Sequence, residues 1–162
     1  QLPYLEEHIQ KKKAIYERYK QGLKDLPIKM NSFECDKVNP NYWLSCLIID
    51  EDALCKQNYS DKTVDYCKCQ GKTCPVEILE ALANYNVESR PIWKPMHMQP
   101  IYKANEFITR YGKFNGNCEK GQDGKPLDVG RDIFERGLCL PSDIKMTEKE
   151  QDIVIEIIKG CF

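Results

Sequence analysis

The segment from Glu88 to Gln99 concentrates side chains that could bind a charged or cyclic ligand. The guanidinium of Arg90 offers a planar fork for a carboxylate or a phosphate, and Trp93 offers a flat surface for a ring or a cation. His97 can donate or accept a hydrogen bond and can change charge near neutral pH. Prolines within the segment reduce the entropy that is lost when it adopts one shape. These residues predict a binding site, although a surface loop with a core-filling tryptophan and solvated basic side chains would have the same composition.

Four of the nine cysteines lie close together in the sequence and could form a second site. Four sulfur atoms are enough to bind zinc tetrahedrally, but the C-x-C spacing of Cys67 and Cys69 departs from the usual C-x2-C arrangement. A disulfide and free thiols are the alternatives. The odd total number of cysteines favours a reducing compartment over a fully paired secreted scaffold. The four candidates are Cys55, Cys67, Cys69 and Cys74.

Charge and motif content argue against several classes of function. The chain has 162 residues, which suits one domain, and its 24 basic and 25 acidic side chains give a net charge of −1. This balance argues against a protein that binds nucleic acid or an anionic membrane through a large positive charge. The longest apolar runs, such as Leu44–Ile49, are too short to span a bilayer. The sequence contains no glycine-rich phosphate loop and no G-x-G-x-x-G or G-x-S-x-G motif, so nothing points to a self-contained acid–base enzyme.

Apolar residues at helical spacing predict amphipathic helices at both ends of the chain. The first helix is stopped by Gly22 and Pro27, and the last begins at Thr147, which forms a capping box with Glu150. We expect both helices to pack on one face of a small sheet. The residues predicted to face the core are Leu5, Ile9, Tyr16, Tyr19 and Leu23 in the first helix, and Ile153, Val154, Ile157 and Ile158 in the last.

Short extended and helical segments alternate between these two helices, which predicts a mixed α/β (α+β) fold with a small sheet flanked by helices. Tyr42–Asp50 is apolar and partly β-branched, which favours a buried strand. Asp128 is predicted to cap a short helix that ends at Gly137, and prolines confine residues 87–94 to an edge strand or a shaped loop. The other predicted segments are a helix from Pro75 to residues 84–86, a helix over Tyr102–Tyr111, a surface loop over Asn115–Pro126 and a short apolar segment at Leu138–Leu140.

Several segments resemble, in the same order, those of the DegT/StrS-type sugar aminotransferases, which use pyridoxal phosphate. Residues 88–97 resemble the family's E-S-R-P-aromatic-x-P-M/L-H segment. Phe134–Ser142 resembles its F-x-x-G-L-C-L-P-S signature, and Thr147–Gln151, before the isoleucine-rich last helix, resembles its tail. The opening helix, with Tyr16–Tyr19 near its end, is similar to the helix that leaves the family's large domain. The resemblance covers most of this chain but only the C-terminal part of such an enzyme.

The resemblance implies a division of the chain into parts. It implies that residues 1–162 form a single small domain like the C-terminal domain of fold-type-I pyridoxal phosphate enzymes. Residues 1–24 would be its leading helix and residues 51–73 a cysteine-rich insertion. The family's Schiff-base lysine, its aspartate partner of the pyridine nitrogen and its phosphate-binding loop belong to a larger N-terminal domain. None of those motifs occurs here, so we expect a fragment that neither binds pyridoxal phosphate nor transaminates by itself.

The resemblance also implies what the full-length enzyme does. It would transfer an amino group, with glutamate as the expected donor, to a nucleotide-linked keto-sugar in polysaccharide or glycan biosynthesis, and it would be a cytoplasmic homodimer. His97 would contact the nucleotide-sugar, Arg90 would bind an anionic group of the substrate or amino donor, and Trp93 would form a wall of the pocket. Two alternatives are a nucleotide-sugar dehydratase of the same family, in which histidine replaces the Schiff-base lysine, and a non-catalytic cysteine-rich binding or structural module.

Overall fold

The computed structural model describes residues 2–32, 37–60, 63–102, 104–109, 112–114, 120–121 and 127–162. The regular structure of this part of the chain consists of four α-helices, four short 3-10 helices and eight short strands. The α-helices are α1 (Leu5–Gly22), α2 (Pro75–Ala83), α3 (Val129–Arg136) and α4 (Glu148–Lys159). The strands are β1 (Ile28–Met30), β2 (Ser45–Ile49), β3 (Gln57–Tyr59), β4 (Val64–Tyr66), β5 (Arg90–Pro91), β6 (Phe107–Thr109), β7 (Gly112–Phe114) and β8 (Gly137–Leu140).

The main sheet is antiparallel and has the strand order β1-β2-β8-β5. Its central pair is β2 and β8, in which Leu47 lies opposite Leu138. The short strand β5, which contains Pro91, is at one edge, as predicted for residues 87–94, because a proline has no N–H to donate to a neighbouring strand. Two separate hairpins, β3-β4 and β6-β7, lie outside this sheet.

The hydrophobic core lies between one face of the sheet and helices α1, α2 and α4. Alternate residues of β2 are fully buried, so this strand presents one face to the helices. The two end helices therefore cover the sheet as the sequence predicts, and α2 joins them. The buried core residues of these elements are Ile15, Tyr19, Leu23, Leu47, Ile49, Ile78, Leu82, Leu138, Leu140, Val154, Ile155 and Ile158.

Helix ends follow the predicted local signals. The hydroxyl of Thr147 accepts a hydrogen bond from Glu150 N, while Glu150 Oε2 accepts one from Thr147 N at 2.7 Å, which completes the capping box. Asp128 Oδ1 accepts a hydrogen bond from Arg131 N at 3.0 Å and caps α3. Pro75 occupies the start of α2, where a missing amide proton leaves no bond unmade.

Gly137, where α3 passes directly into β8, allows a close approach of two backbones. A Cβ atom at this position would lie 2.6 Å from the carbonyl oxygen of Ile133 and 3.2 Å from that of Leu47. Both neighbours are backbone atoms, which cannot move aside as a flexible side chain can. The glycine of the G-L-C-L-P-S segment is therefore required by packing.

The face of the last helix differs from the predicted one. Ile153 is 52% exposed, whereas Ile155, which was not among the predicted core residues, is 4% exposed. Helix α4 contacts both α1 and α2. Its buried face therefore points between these two helices and differs from the face predicted from the spacing of its apolar residues. Leu5, at the start of α1, is likewise half exposed rather than buried.

Two further predicted segments differ in the structure, and a third is almost wholly untested. The predicted helix over Tyr102–Tyr111 is wrong, because residues 107–109 form strand β6, paired with β7 in a hairpin. Ile108 and Thr109 are β-branched and suit this extended conformation. The predicted strand over Tyr42–Asp50 is shorter than expected and begins only at Ser45. The predicted loop over residues 115–126 lies outside the described residues except at 120 and 121.

The capping box predicts the effect of one substitution. We expect Thr147→Ala to lower the free energy of unfolding by about 1 kcal/mol, because the first turn of α4 loses a side-chain acceptor for one of its free amides. Urea unfolding followed by circular dichroism measures the change. Lys149→Ala, an exposed substitution in the same turn, is the matched control and should change the free energy by less than about 0.5 kcal/mol. Equal effects of the two substitutions would contradict a stabilising cap.

Candidate functional site

A groove of about 1030 Å³ runs along the edge strand β5. Arg90 and Trp93, two of the three residues predicted to bind a ligand, line it. Trp43, from the chain that leads into β2, and Cys139, from β8, also line it. The groove is therefore assembled from segments that are distant in sequence and that the sheet brings together.

Two tryptophan side chains are exposed on the groove. The rings of Trp43 and Trp93 have centroids 6.2 Å apart and are inclined by 38°. The residues are 65% and 64% exposed, respectively. Trp93 therefore does not fill the core. Its role as a wall of a binding pocket stays a prediction, which the exposure of its ring supports.

Arg90 is also exposed and forms an ion pair with Glu88, two residues earlier in the chain. Exposed ion pairs of this kind contribute little to stability, commonly less than about 1 kcal/mol. The guanidinium can therefore exchange Glu88 for an anionic ligand at small cost, and the planar fork makes it suited to a carboxylate or a phosphate.

Lys12 of α1 is a groove residue that the sequence analysis did not identify. Its ammonium donates hydrogen bonds to the carbonyl oxygens of Trp43, at 3.2 Å, and of Ser142. Burial lowers the pKa of Lys12, and the nearby carboxylate of Asp143 opposes this shift. Lys12 therefore ties α1 to the segments before β2 and after β8. In the sequence, Lys12 lies one turn before Tyr16 and two turns before Tyr19, which are both buried. This spacing alone does not distinguish a lysine that lines a groove from one that contacts only water.

His97 lies outside the set of residues that line the groove. Its Nε2 atom is 2.6 Å from Oδ2 of Asp128, and its ring stacks on Phe107 with centroids 4.0 Å apart. Asp128 is 2% exposed. Since an ionised carboxylate can only accept a hydrogen bond, we expect the proton to lie on Nε2, which leaves Nδ1 as the nitrogen available to a ligand. The structure thus brings Arg90 and Trp93 together and holds His97 separately.

The pairing of His97 with Asp128 predicts a change of tautomer in Asp128→Asn. An asparagine can still cap α3, but it replaces the charged partner of His97 by a neutral one, so we expect the free energy of unfolding to fall by about 1–2 kcal/mol. The amide no longer requires a proton on Nε2, so the population of the Nδ1-protonated form should increase. Nitrogen-15 NMR of the imidazole measures this population. Asp65→Asn, at an exposed position, is the control, and an unchanged tautomer in Asp128→Asn would contradict the assignment.

The cysteine cluster does not form a four-ligand arrangement. Cys55 and Cys74 are buried and interact, whereas Cys67 and Cys69 are exposed, and all four are free thiols. Within the described ranges no group of three or more histidine, cysteine or acidic side chains could hold a metal ion. Burial and a hydrogen bond with Cys74 raise the pKa of Cys55 to about 12, which opposes the thiolate form that zinc requires. The zinc hypothesis for these residues therefore has no structural support.

Two charged side chains of the groove are engaged within the protein. The ammonium of Lys12 donates to two backbone carbonyls, and the carboxylate of Glu88 is paired with Arg90. Lys94 and Asp143 also line the groove. A separate finding concerns membranes. No helix in the described part of the chain is both long and apolar enough to cross one.

The fold is that of a segment found in solved sugar-modifying aminotransferases. Spr1654 of Streptococcus pneumoniae, named as a sugar aminotransferase, matches with a TM-score of 0.67 and 20% identity over 99% of this chain and 32% of its own. PseC of Helicobacter pylori, an aminotransferase in pseudoaminic acid biosynthesis, matches with a TM-score of 0.66 and 16% identity over 100% of this chain and 34% of its own. These matches confirm the predicted fold class.

The chain belongs to the DegT/DnrJ/EryC1/StrS aminotransferase family, whose family model matches residues 1–159. It is 32% identical over all 162 residues to EpsN of Bacillus subtilis, which is named as a pyridoxal phosphate-dependent aminotransferase, and it covers 33% of that protein. The predicted family is confirmed, and the family depends on pyridoxal phosphate. The chain spans about a third of the length of the curated relative that it matches.

Proposed function

We propose that this chain is the C-terminal small domain of a pyridoxal phosphate-dependent enzyme that transfers an amino group from glutamate to a nucleotide-linked keto-sugar. Residues 1–24 form its leading helix and residues 51–73 its cysteine-rich insertion. The cofactor is bound by a larger N-terminal domain, to which the family's Schiff-base lysine and phosphate-binding loop belong. Such a division is supported by membership of the family over residues 1–159 and by a coverage of only 33% of EpsN.

The choice of substrate rests on one observation: the guanidinium of Arg90 and the indole rings of Trp43 and Trp93 line the same groove. A nucleotide-sugar has an anionic diphosphate, a flat base and a sugar ring whose C–H faces are apolar. Arg90 can bind the anion with two parallel hydrogen bonds, and the exposed faces of Trp43 and Trp93 can contact a base or a sugar ring. The groove of about 1030 Å³ is of the size at which pockets enclose ligands of this class, about 300–1,000 Å³.

His97 is proposed as a further contact to the nucleotide-sugar. Its imidazole is 22% exposed as a side chain, and Asp128 directs Nε2 away from a ligand and leaves Nδ1 as an acceptor. It belongs to the same Pro-rich segment as Arg90 and Trp93, and only three residues separate it from Trp93 in the chain. A substrate that spans both positions would connect the groove to the His97–Asp128 pair.

Amino transfer is tested with the full-length enzyme, glutamate and a nucleotide-linked keto-sugar, with the products identified by mass spectrometry. An amino-sugar nucleotide together with 2-oxoglutarate supports the proposal. A deoxygenated sugar without added nitrogen supports dehydration, the alternative within the family. The absence of both products with a set of nucleotide-linked keto-sugars would favour the non-catalytic cysteine-rich module.

The role of Arg90 is tested by Arg90→Ala in the same assay. We expect KM for the nucleotide-sugar to increase by about tenfold, the effect of losing one charge-assisted interaction of about 1.5 kcal/mol. Arg18→Ala is the matched control, because Arg18 is an arginine on α1 that pairs with Asp152 away from the groove. A KM that is unchanged in Arg90→Ala, or equally increased in both variants, would contradict a role for Arg90 in binding.

The proposal includes three further properties of the protein. The 162-residue chain alone neither transaminates nor binds pyridoxal phosphate, which its absorbance spectrum after incubation with the cofactor would test. The full-length enzyme is a homodimer, which light scattering would test. It is located in the cytoplasm, and the seven free cysteines of the described residues support a reducing compartment.

A further inference from the structure

Two cysteines face each other across the central strands of the sheet, at the groove. Cys46 of β2 and Cys139 of β8 are register partners, and their sulfur atoms are 3.6 Å apart. Cys139 also lines the groove and is the register partner of Arg90 on β5. We propose that Cys46 and Cys139 form a dithiol site that low-molecular-weight disulfides, such as oxidised glutathione, convert into a cross-strand disulfide.

The backbone at this pair has the geometry that such a bond requires. The amide of Cys46 donates to Asn31 Oδ1 at 2.9 Å, and its carbonyl accepts from Asn31 N at 3.0 Å. Because both groups bond on the β1 side, Cys46 and Cys139 are a non-hydrogen-bonded pair, in which opposite Cα atoms are about 4.5 Å apart. Disulfides connect Cα atoms that are about 4.4–6.8 Å apart. The bond therefore requires only small movements of the side chains.

The two thiols are unequal in a way that suits thiol–disulfide exchange. Their mutual hydrogen bond lowers the pKa of Cys139 and raises the pKa of Cys46. Cys139 lines the groove, although the residue is only 6% exposed. A small disulfide that enters the groove therefore meets this thiol, and Cys46 is the resolving thiol. At the other adjacent pair, Cys55 and Cys74, burial raises the pKa of both thiols, so that pair lacks an attacking thiolate.

The reaction is a two-step exchange. The Cys139 thiolate attacks one sulfur atom of oxidised glutathione, breaks its S–S bond and releases one glutathione thiolate. Cys46 then gives its proton to water and attacks Sγ of Cys139, which releases the second glutathione. One glutathione disulfide is reduced to two thiols while the protein dithiol is oxidised to one disulfide, so that electrons and protons balance.

The test is a redox titration of the full-length enzyme in glutathione buffers with an increasing oxidised fraction. Acid quenching, alkylation under denaturing conditions and peptide mapping then identify linked cysteines. We expect a peptide that joins Cys46 to Cys139 in the unmodified protein and in the control Cys69→Ser. In Cys46→Ser the linked peptide should be lost, and Cys139 should stop as a mixed disulfide with glutathione. Cys46→Ala provides the same test if the serine is poorly tolerated.

Two results would overturn the proposal. One is that Cys46 and Cys139 both remain alkylated as free thiols in buffers that already oxidise the exposed Cys67 and Cys69. The other is that Cys139 accumulates as a mixed disulfide in the unmodified protein without forming the link to Cys46. The linked peptide is detected whether or not the enzyme transfers an amino group, so this test is independent of the proposed function.

Discussion

Replacing His97 by alanine in the full-length enzyme is expected to lower kcat/KM for the nucleotide-sugar by about twofold to tenfold. The acceptor Nδ1 would bind a hydroxyl or N–H group of the substrate, and a hydrogen bond between neutral groups contributes about 0.5–1.5 kcal/mol. Each 1.4 kcal/mol corresponds to about tenfold in an equilibrium or rate ratio. The imidazole is held in one orientation by Asp128, at 2.6 Å, and by the stacked ring of Phe107. The protein therefore loses a contact that is already positioned, and steady-state kinetics measures the loss.

Two variants separate a substrate contact from a structural role. His97→Ala also removes the partner of the buried Asp128 carboxylate, which could by itself destabilise the fold. A glutamine at position 97 can still donate to that carboxylate but lacks the ring nitrogen proposed to face the ligand. We expect His97→Gln to reduce kcat/KM while its melting temperature stays close to that of the unmodified enzyme. His8→Ala, at the exposed histidine of α1, should leave both unchanged, and normal kinetics in His97→Ala would contradict the proposed contact.

Leu138→Ala is expected to lower the free energy of unfolding by about 2–5 kcal/mol. Leu138 is fully buried in the central strand β8 and lies opposite Leu47 of β2, between the sheet and the helices that cover it. Its truncation removes buried apolar surface and leaves a cavity that the surrounding backbone cannot fill. Small domains are stable by only about 5–15 kcal/mol, so this loss is a large part of the total. Urea unfolding measures it.

Ile153→Ala is the matched control for the core substitution. The sequence predicts that Ile153 faces the core, but Ile153 is 52% exposed on α4. We therefore expect its truncation to change the free energy of unfolding by less than about 0.5 kcal/mol. A loss at Ile153 as large as that at Leu138 would show that α4 buries the face read from the sequence rather than the one in the structure.

Local signals in the sequence determined where elements begin and end. The capping box of Thr147 and Glu150, the Asp128 cap and the N-terminal Pro75 of α2 are all present as predicted. Each of these signals involves residues no more than about four positions apart, so its hydrogen bonds form with little dependence on the rest of the fold. The apolar runs that form β2 and β8, and the motifs that identify the family, can also be recognised from the sequence because each consists of residues that are close together in the chain.

The site and the precise faces of the helices depend on contacts between residues that are far apart in the chain. His97 and Asp128 are separated by 31 positions, Cys46 and Cys139 by 93, and Lys12 and Ser142 by 130. No periodicity in the sequence encodes such pairs, because they form only when the strand order and the packing of helices on the sheet bring the segments together. The composition of residues 88–99 therefore indicated a ligand-binding segment, whereas the tertiary structure placed Arg90 and Trp93 on a groove and His97 beside a buried carboxylate.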